Sequence, residues 1–347
     1  IARAVVGQLK VKLLGAVPTV KETDPEAYAL FLQARHLSNL LTPAGWQKSN
    51  EIYEEVLAIA PDYAEAWAGM GRNYSNMTTF DVITRQEGRR LTLEATNKAL
   101  AIDPENVMAL RSLSFVARSM DGDLVTAARH LEHALALEPN NPNNIGAAAN
   151  FVSNLGRLDE AIRLGQYTVS VDPVNPVGHL NLAGVYLSAG RLDDAIRASQ
   201  TAMSLSPGTA GAQYWIGEAY LRQGQAEAAL AAFAQEKDEE WRVKGTALAL
   251  YELGRLEEYE EAFAELREKW GERWPSEIAH VYAWIGDTDS AFLWLEKELP
   301  QEGLGGVMVD PYFTGMHDDP RWQPLLEKGG LSAAQIDAIG FEVTVPE

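Results

Sequence analysis

Residues 176–207 read PVGHLNLAGVYLSAGRLDDAIRASQTAMSLSP. His179, Leu182, Ala183 and Tyr186 recur three or four residues apart, the spacing of one helical face. Gly190 breaks that pattern. Ala195, Ser199 and Ala202 then mark a second face, and Pro207 ends it. Small residues on both faces let two helices approach closely, while Leu182 and Tyr186 fill the space between them. The stretch is a helical hairpin that cannot cover its own apolar faces.

The same order of residue types occurs one unit earlier, in Ile145, Ala148, Ala149, Val152, Gly156, Ala161, Gly165, Thr168 and Pro173. NLGRLDEAIR at 154–163 matches SAGRLDDAIR at 188–197, and Pro139, Pro173 and Pro207 follow one another at intervals of 34 residues. A period near 34 with small residues, a turn glycine and a closing proline resembles the tetratricopeptide repeat. Trp67, Met70, Gly71 and Tyr74 make the fullest match to that family's Trp, Leu, Gly, Tyr first helix. The resemblance implies an all-α fold, a right-handed α-α superhelix of about eight hairpins. Their expected limits are near 26–61, 64–104, 107–139, 142–173, 176–207, 210–241, 242–270 and 275–299, with Trp241 closing the sixth. Residues 300–347 are expected to cap the array.

Two segments lie outside the repeats. In residues 1–25, Ala2, Val5, Val6, Leu9, Leu13 and Leu14 form an apolar stripe, followed by a linker. A helix with that stripe needs a packing partner: the first repeat, an upstream domain or a second copy. The chain begins at Ile1 rather than Met and is read as part of a longer protein. At the other end, DPRWQPLLEKGGL (319–331) resembles the segment that closes the repeats of some bacterial regulatory proteins. In that group the repeats accompany a nucleotide cyclase, a kinase or a winged-helix domain. The resemblance implies the sensory or interaction region of a larger regulator.

Composition narrows the partners. The 347 residues carry a net charge of −20, and an acidic surface repels phosphate backbones, so nucleic acid is not expected as a direct partner. No run of 18 apolar residues is present to span a membrane. The absence of cysteine excludes disulfides and thiol nucleophiles and leaves cytoplasm and periplasm both open.

Signals for catalysis are poor. Gly69, Met70 and Gly71 fall inside a helix pattern, not after a strand. His130 and His133 could share a helix face but have no third ligand nearby. Asp121 and Asp123 flank Gly122 with no calcium loop following, and Glu257, Glu258, Glu260 and Glu261 read as a solvated face. No catalytic residue, cofactor or metal is expected.

The resemblance implies instead a concave groove lined by the first helix of each hairpin. The matching positions are Arg72 and Asn76; Arg111, Ser112 and Arg118; Asn143, Asn150 and Asn154; Asn181; and Tyr214, Trp215, Glu218 and Arg222. Asn amides both donate and accept, which suits an extended peptide backbone. Arginine grips a carboxylate in bidentate fashion, and Tyr214 and Trp215 would anchor apolar side chains. The family's clamp for a terminal carboxylate uses Lys where this chain has Arg or Ala. That departure argues against the family's chaperone-tail role, while the arginines on the inner face favour a protein or peptide segment that is acidic or C-terminal. Two alternatives remain open at this stage: a homo-oligomerisation module, or the substrate-capture region of an enzyme whose catalytic domain lies elsewhere.

Overall fold

The computed structural model describes residues 24–302 and 306–345. The amphipathic stripe of residues 1–15 lies outside them. Sixteen helices pair into eight hairpins: α1 (Pro25–Ser38) with α2 (Pro43–Ile59), α3 (Ala64–Thr79) with α4 (Arg85–Ile102), α5 (Val107–Ser119) with α6 (Leu124–Leu137), and α7 (Pro142–Asn154) with α8 (Leu158–Val171). The second half continues with α9 (Pro176–Ser188) and α10 (Leu192–Leu205), α11 (Ala212–Arg222) and α12 (Ala226–Phe233), α13 (Glu239–Glu252) and α14 (Leu256–Trp270), and α15 (Pro275–Trp284) and α16 (Thr288–Glu302). Two 3-10 segments and two short helices, α17 (Trp322–Lys328) and α18 (Ala333–Asp337), complete the elements among the described residues.

Local chemistry explains the boundaries. Asn141 and Asn175 cap α7 and α9 through their side chains, with Pro142 and Pro176 at the first helical turn. Gly156 and Gly190 reverse the chain at φ of +79° and +70°, where a side chain would be strained. The long second unit is explained by α3 running on to Thr79 and a wider turn before α4. Trp241 does not close the sixth hairpin. Asp238 caps α13, so Trp241 lies in the first turn of the seventh, and the sixth ends at Phe233.

Odd-numbered helices form the inner layer and even-numbered helices the outer one, an α-α superhelix. Hairpins stack because each leaves small residues facing its neighbour. Small residues also close each hairpin on itself: Ser49 Oγ of α2 donates to Ala34 O of α1 at 2.8 Å, and Ser114 Oγ of α5 donates to Ala127 O of α6 at 2.9 Å. Phe233 is fully buried between Gly217 and Gly245.

The superhelix also meets itself after one turn. Arg273 pairs with Asp81 at 2.6 Å and donates to Ile83 O at 2.7 Å. Phe80 packs between Trp46 and Trp241, with ring centroids 5.4 and 5.5 Å away. Ser206 Oγ donates to Leu40 O at 3.3 Å. The two non-glycine residues with positive φ among the described residues, Leu41 at 55° and Asp81 at 52°, sit at these closing turns. Backbone strain is thus held where hairpins one and two meet hairpins five to eight.

A Cβ added at Gly217 or Gly245 would come within 2.5 or 2.2 Å of the Phe233 ring. Gly217→Ala and Gly245→Ala should each destabilise the protein by about 1–3 kcal/mol, the usual cost of overpacking. Adding Phe233→Leu to either should recover part of that loss in thermal unfolding. Strict additivity of the losses would show that the two glycines do not share the ring.

Candidate functional site

The inner wall is divided into a covered part and an open part. Along hairpins four to eight it is covered by the chain's own C-terminal segment. Val307, Phe313, Met316, Trp322 and Phe341 join one core with Phe151, Val152, Leu155 and Ala279 from the inner helices. Gly306 packs beside Asn154, and Met308 lies against Gly156. Phe341 meets Phe151 edge-on at 4.8 Å, while its carbonyl accepts from Arg157 at 2.6 Å. Full burial of a side chain of this size is worth roughly 1.5–3 kcal/mol, so several contacts, not one, hold the segment.

A buried ionic cluster joins that segment to the wall. His280 on α15 contacts Asp310 Oδ2 through Nε2 at 2.9 Å and Glu277 Oε2 through Nδ1 at 3.3 Å. Glu277 in turn pairs with Lys244 of α13. The Lys244 ammonium lies 4.7 Å from the Tyr214 ring centre, and the Tyr214 hydroxyl bonds to that of Tyr312 at 3.0 Å. Burial pulls the His280 imidazole down, but Asp310 and Glu277 together outweigh it and hold it up to about 9. Burial raises Glu277, but Lys244 and His280 reverse that and hold it below the carboxylate range. Burial, aided by Asp310, pushes Glu218 up to about 7.

Hairpins one to five carry an open cavity of about 700 Å³. Arg35, Arg72 and Arg111 line it, together with Asn39, Asn106, Asn143, Val107 and Val177. Arg72 donates to Asn39 Oδ1 at 2.9 Å and to Ser38 Oγ. Ser38 belongs to a buried network in which Asn73 Nδ2 donates to Ser49 Oγ at 3.0 Å and to Asn50 Oδ1 at 2.8 Å. Arg111 donates to Asn144 Oδ1 at 3.3 Å; Asn144 is itself fixed by donating to Ala134 O and Glu138 O. Burial lowers Arg111 to about 10, and the charge of Arg72 adds to the effect. Burial lowers Arg72 as well, with Tyr53 opposing and Arg35 adding. Both remain cations at neutral pH.

The positions expected from the sequence therefore separate. Arg72, Arg111 and Asn143 come together in the cavity. Asn76, Asn150 and Asn181 are half-buried inner-helix residues outside the cavity lining, and Ser112 is buried. Arg118 is half-buried, pulled down to about 10 by burial, and lies over Phe115. Asn154 is covered by Gly306. Arg222 donates to Leu187 O at 2.7 Å and faces Glu218. Tyr214 and Trp215 are not anchors open to a ligand: Tyr214 is 4% exposed beneath Tyr312, and Trp215 packs on Gly184 of the preceding hairpin. The reason is the same for Tyr214 and Asn154: the tail already satisfies their surfaces.

Arg35, Lys244, Glu277, His280 and Asp310 were not singled out from the sequence. For Arg35 a signal exists. It follows Ala34 as Arg72 follows Gly71, each a small residue at the hairpin contact. For the ionic cluster none exists, because its members lie up to 66 residues apart, from Lys244 to Asp310. His130 and His133 gain no third ligand, and no group of His, Asp and Glu suited to a metal occurs among the described residues.

Tetratricopeptide-repeat models match residues 153–208 and 186–240. These residues are tetratricopeptide repeats, and the hairpins on either side continue the same helical pairing, so the fold class is an all-α superhelix of repeated hairpins. No curated protein matches the chain in sequence. Among solved structures, the chain is similar to the human IFIT1 dimer with PPP-AAAA at 17% identity and a TM-score of 0.50, over 75% of this chain and 69% of that one. It is also similar to Pseudomonas aeruginosa PilF at 15% identity, TM-score 0.43, over 60% of this chain and 91% of that one. For PilW, a widely conserved type IV pilus biogenesis factor, the values are 16%, 0.46, 62% and 97%. At these identities the likeness concerns the fold alone.

The ionic cluster makes stability depend on pH. His280 has a raised pKa when folded, so its contribution is complete below about 6.5 and lost as pH rises through about 9. Glu218 is also raised, so stability declines from about 4.5 to 7 as the unfolded state ionises first. Glu277 is depressed and acts in the opposite sense, losing its contribution in acid. The thermal midpoint should fall between pH 7 and 9.5. Asp310→Asn should move that fall to lower pH, and Glu218→Gln should raise the midpoint at pH 7. A midpoint flat across pH 5–9.5 in all three proteins would exclude this account.

Proposed function

We propose that the chain is a non-catalytic scaffold that holds an extended segment of a partner protein in the groove of hairpins one to five. The observation that carries this reading is the division of the inner wall. The tail closes hairpins four to eight with buried aromatic side chains. A cavity lined by arginine, asparagine, valine and acidic residues stays open on the other half. Its Asn amides suit peptide backbone groups, and its valines suit small apolar side chains. Arg72 and Arg111 are held in place by neutral partners, so their charge is available and little is lost on binding. The wider setting we infer, an interaction region of a larger bacterial regulator, rests on the resemblance of residues 319–331.

Filling the cavity tests the reading. Val177→Trp should reduce recovery of partner protein by about tenfold, with the unfolding midpoint kept. Val125→Trp, on the exposed face of the outer helix α6, should leave recovery unchanged. Equal recovery with both variants would move the binding surface away from the groove.

A further inference from the structure

Several buried or half-buried cations elsewhere in the fold meet carboxylates: Lys244 pairs with Glu277, Arg273 with Asp81, and Arg157 with Glu160. The cavity arginines differ. Arg72 bonds only to a hydroxyl and an amide, and its Nε is buried with no acceptor. Arg111 bonds to one amide. The Arg35 side chain makes no hydrogen bond among the described residues and lies over the Phe31 ring at 5.7 Å. Each guanidinium carries five N–H donors, and neutral partners leave most of them unanswered; Arg111 feels the charge of Glu138 but forms no ion pair with it. In a chain of net charge −20, three neighbouring cations without a carboxylate of their own are complementary to anions brought from outside.

Their placement selects which anions. Arg35, Arg72 and Arg111 stand on α1, α3 and α5, the inner helices of three successive hairpins. Packed helices lie about 8–10 Å apart. A polyproline II segment has three residues per turn and rises about 3.1 Å per residue, so every third side chain returns to one face after about 9 Å. The rise of one polyproline turn is of the same order as the step from one packed inner helix to the next. Carboxylates share the cavity: Glu65, Asp103, Glu105, Glu138 and Asp172 line it as well. They repel a chain charged at every unit, such as RNA, and leave room only for a segment whose few acids meet the arginines.

We propose that the cavity binds a polyproline II segment with an acidic side chain at every third position, one carboxylate to each of Arg35, Arg72 and Arg111. This rests on the groove being a partner-binding site and names the chemistry of what it takes. Binding weakens as salt rises, because three charge pairs form at a partly open surface.

The test is fluorescence anisotropy with acetylated, amidated peptides on the whole chain. The probes are four Pro-Ala-Glu triplets, the same peptide with Gln for Glu, one with its four Glu residues contiguous, and a twelve-nucleotide poly(A) RNA. The triplet peptide should bind at least tenfold more tightly than the other three. Arg35→Gln, Arg72→Gln and Arg111→Gln should each weaken it about tenfold, while Lys48→Gln on α2 changes nothing. Arg35→Gln removes no internal side-chain hydrogen bond, only the contact with Phe31, and an unchanged unfolding midpoint separates its effect from one on folding. Tighter binding of the contiguous peptide or the RNA, a requirement for a free C-terminal carboxylate, or indifference to all three Arg substitutions overturns the proposal. If the Gln peptide binds equally well and Val177→Trp blocks it, the acidic spacing is wrong and the groove reading survives. If no peptide binds and Val177→Trp leaves partner recovery intact, both fail.

Discussion

A helical hairpin lined on both sides by alanine, glycine and serine has more apolar surface than its own two helices can cover. Only another hairpin of the same kind removes that surface from water, and the new hairpin then presents the same problem one step further along. Everything else in this protein follows from that constraint. It makes the fold grow in one dimension, and it sets Gly217 and Gly245 close enough to hold Phe233 between them. It also leaves the first and last hairpins with faces that some other device must cover.

The chain deals with its ends in two ways. After one superhelical turn the wide loop between α3 and α4 reaches the far hairpins, where Asp81, Phe80 and Ile83 meet Arg273, Trp241 and Trp274. The C-terminal segment then folds back over the inner wall instead of only covering the last helix. It brings Asp310 to His280 and Tyr312 to Tyr214, so a concave surface that would otherwise be wet becomes core. Half of the inner wall is thereby spent on stability. The other half keeps its arginines on neutral partners and remains a surface.

That division also separates two kinds of buried charge. In the covered half, Lys244, Glu277, His280 and Asp310 answer one another, as charges in a poorly solvated place must. In the open half, Arg72 and Arg111 are positioned by Ser38, Asn39 and Asn144 without being neutralised. The contrast lies in chemistry, since both sets stand on inner helices of the same superhelix.

The local pattern was enough to read the fold class. Apolar spacing, turn glycines and prolines at intervals of 34 are properties of neighbouring residues, and each hairpin forms largely from contacts within about 35 residues. The same regularity pointed to Arg72 and Arg111, because a repeat maps sequence position onto the inner face. It could not show that Tyr214 and Asn154 lie under the chain's own tail, nor that Lys244, Glu277, His280 and Asp310 form one cluster. Trp241 was likewise placed at the wrong hairpin boundary, for a cap at Asp238 competes with the repeat period there. Such facts depend on the curvature summed over eight hairpins, which decides what the returning tail meets. Small rotations between repeats leave no mark in the spacing of residues, so only the assembled superhelix determines which part of the groove is closed and which stays open.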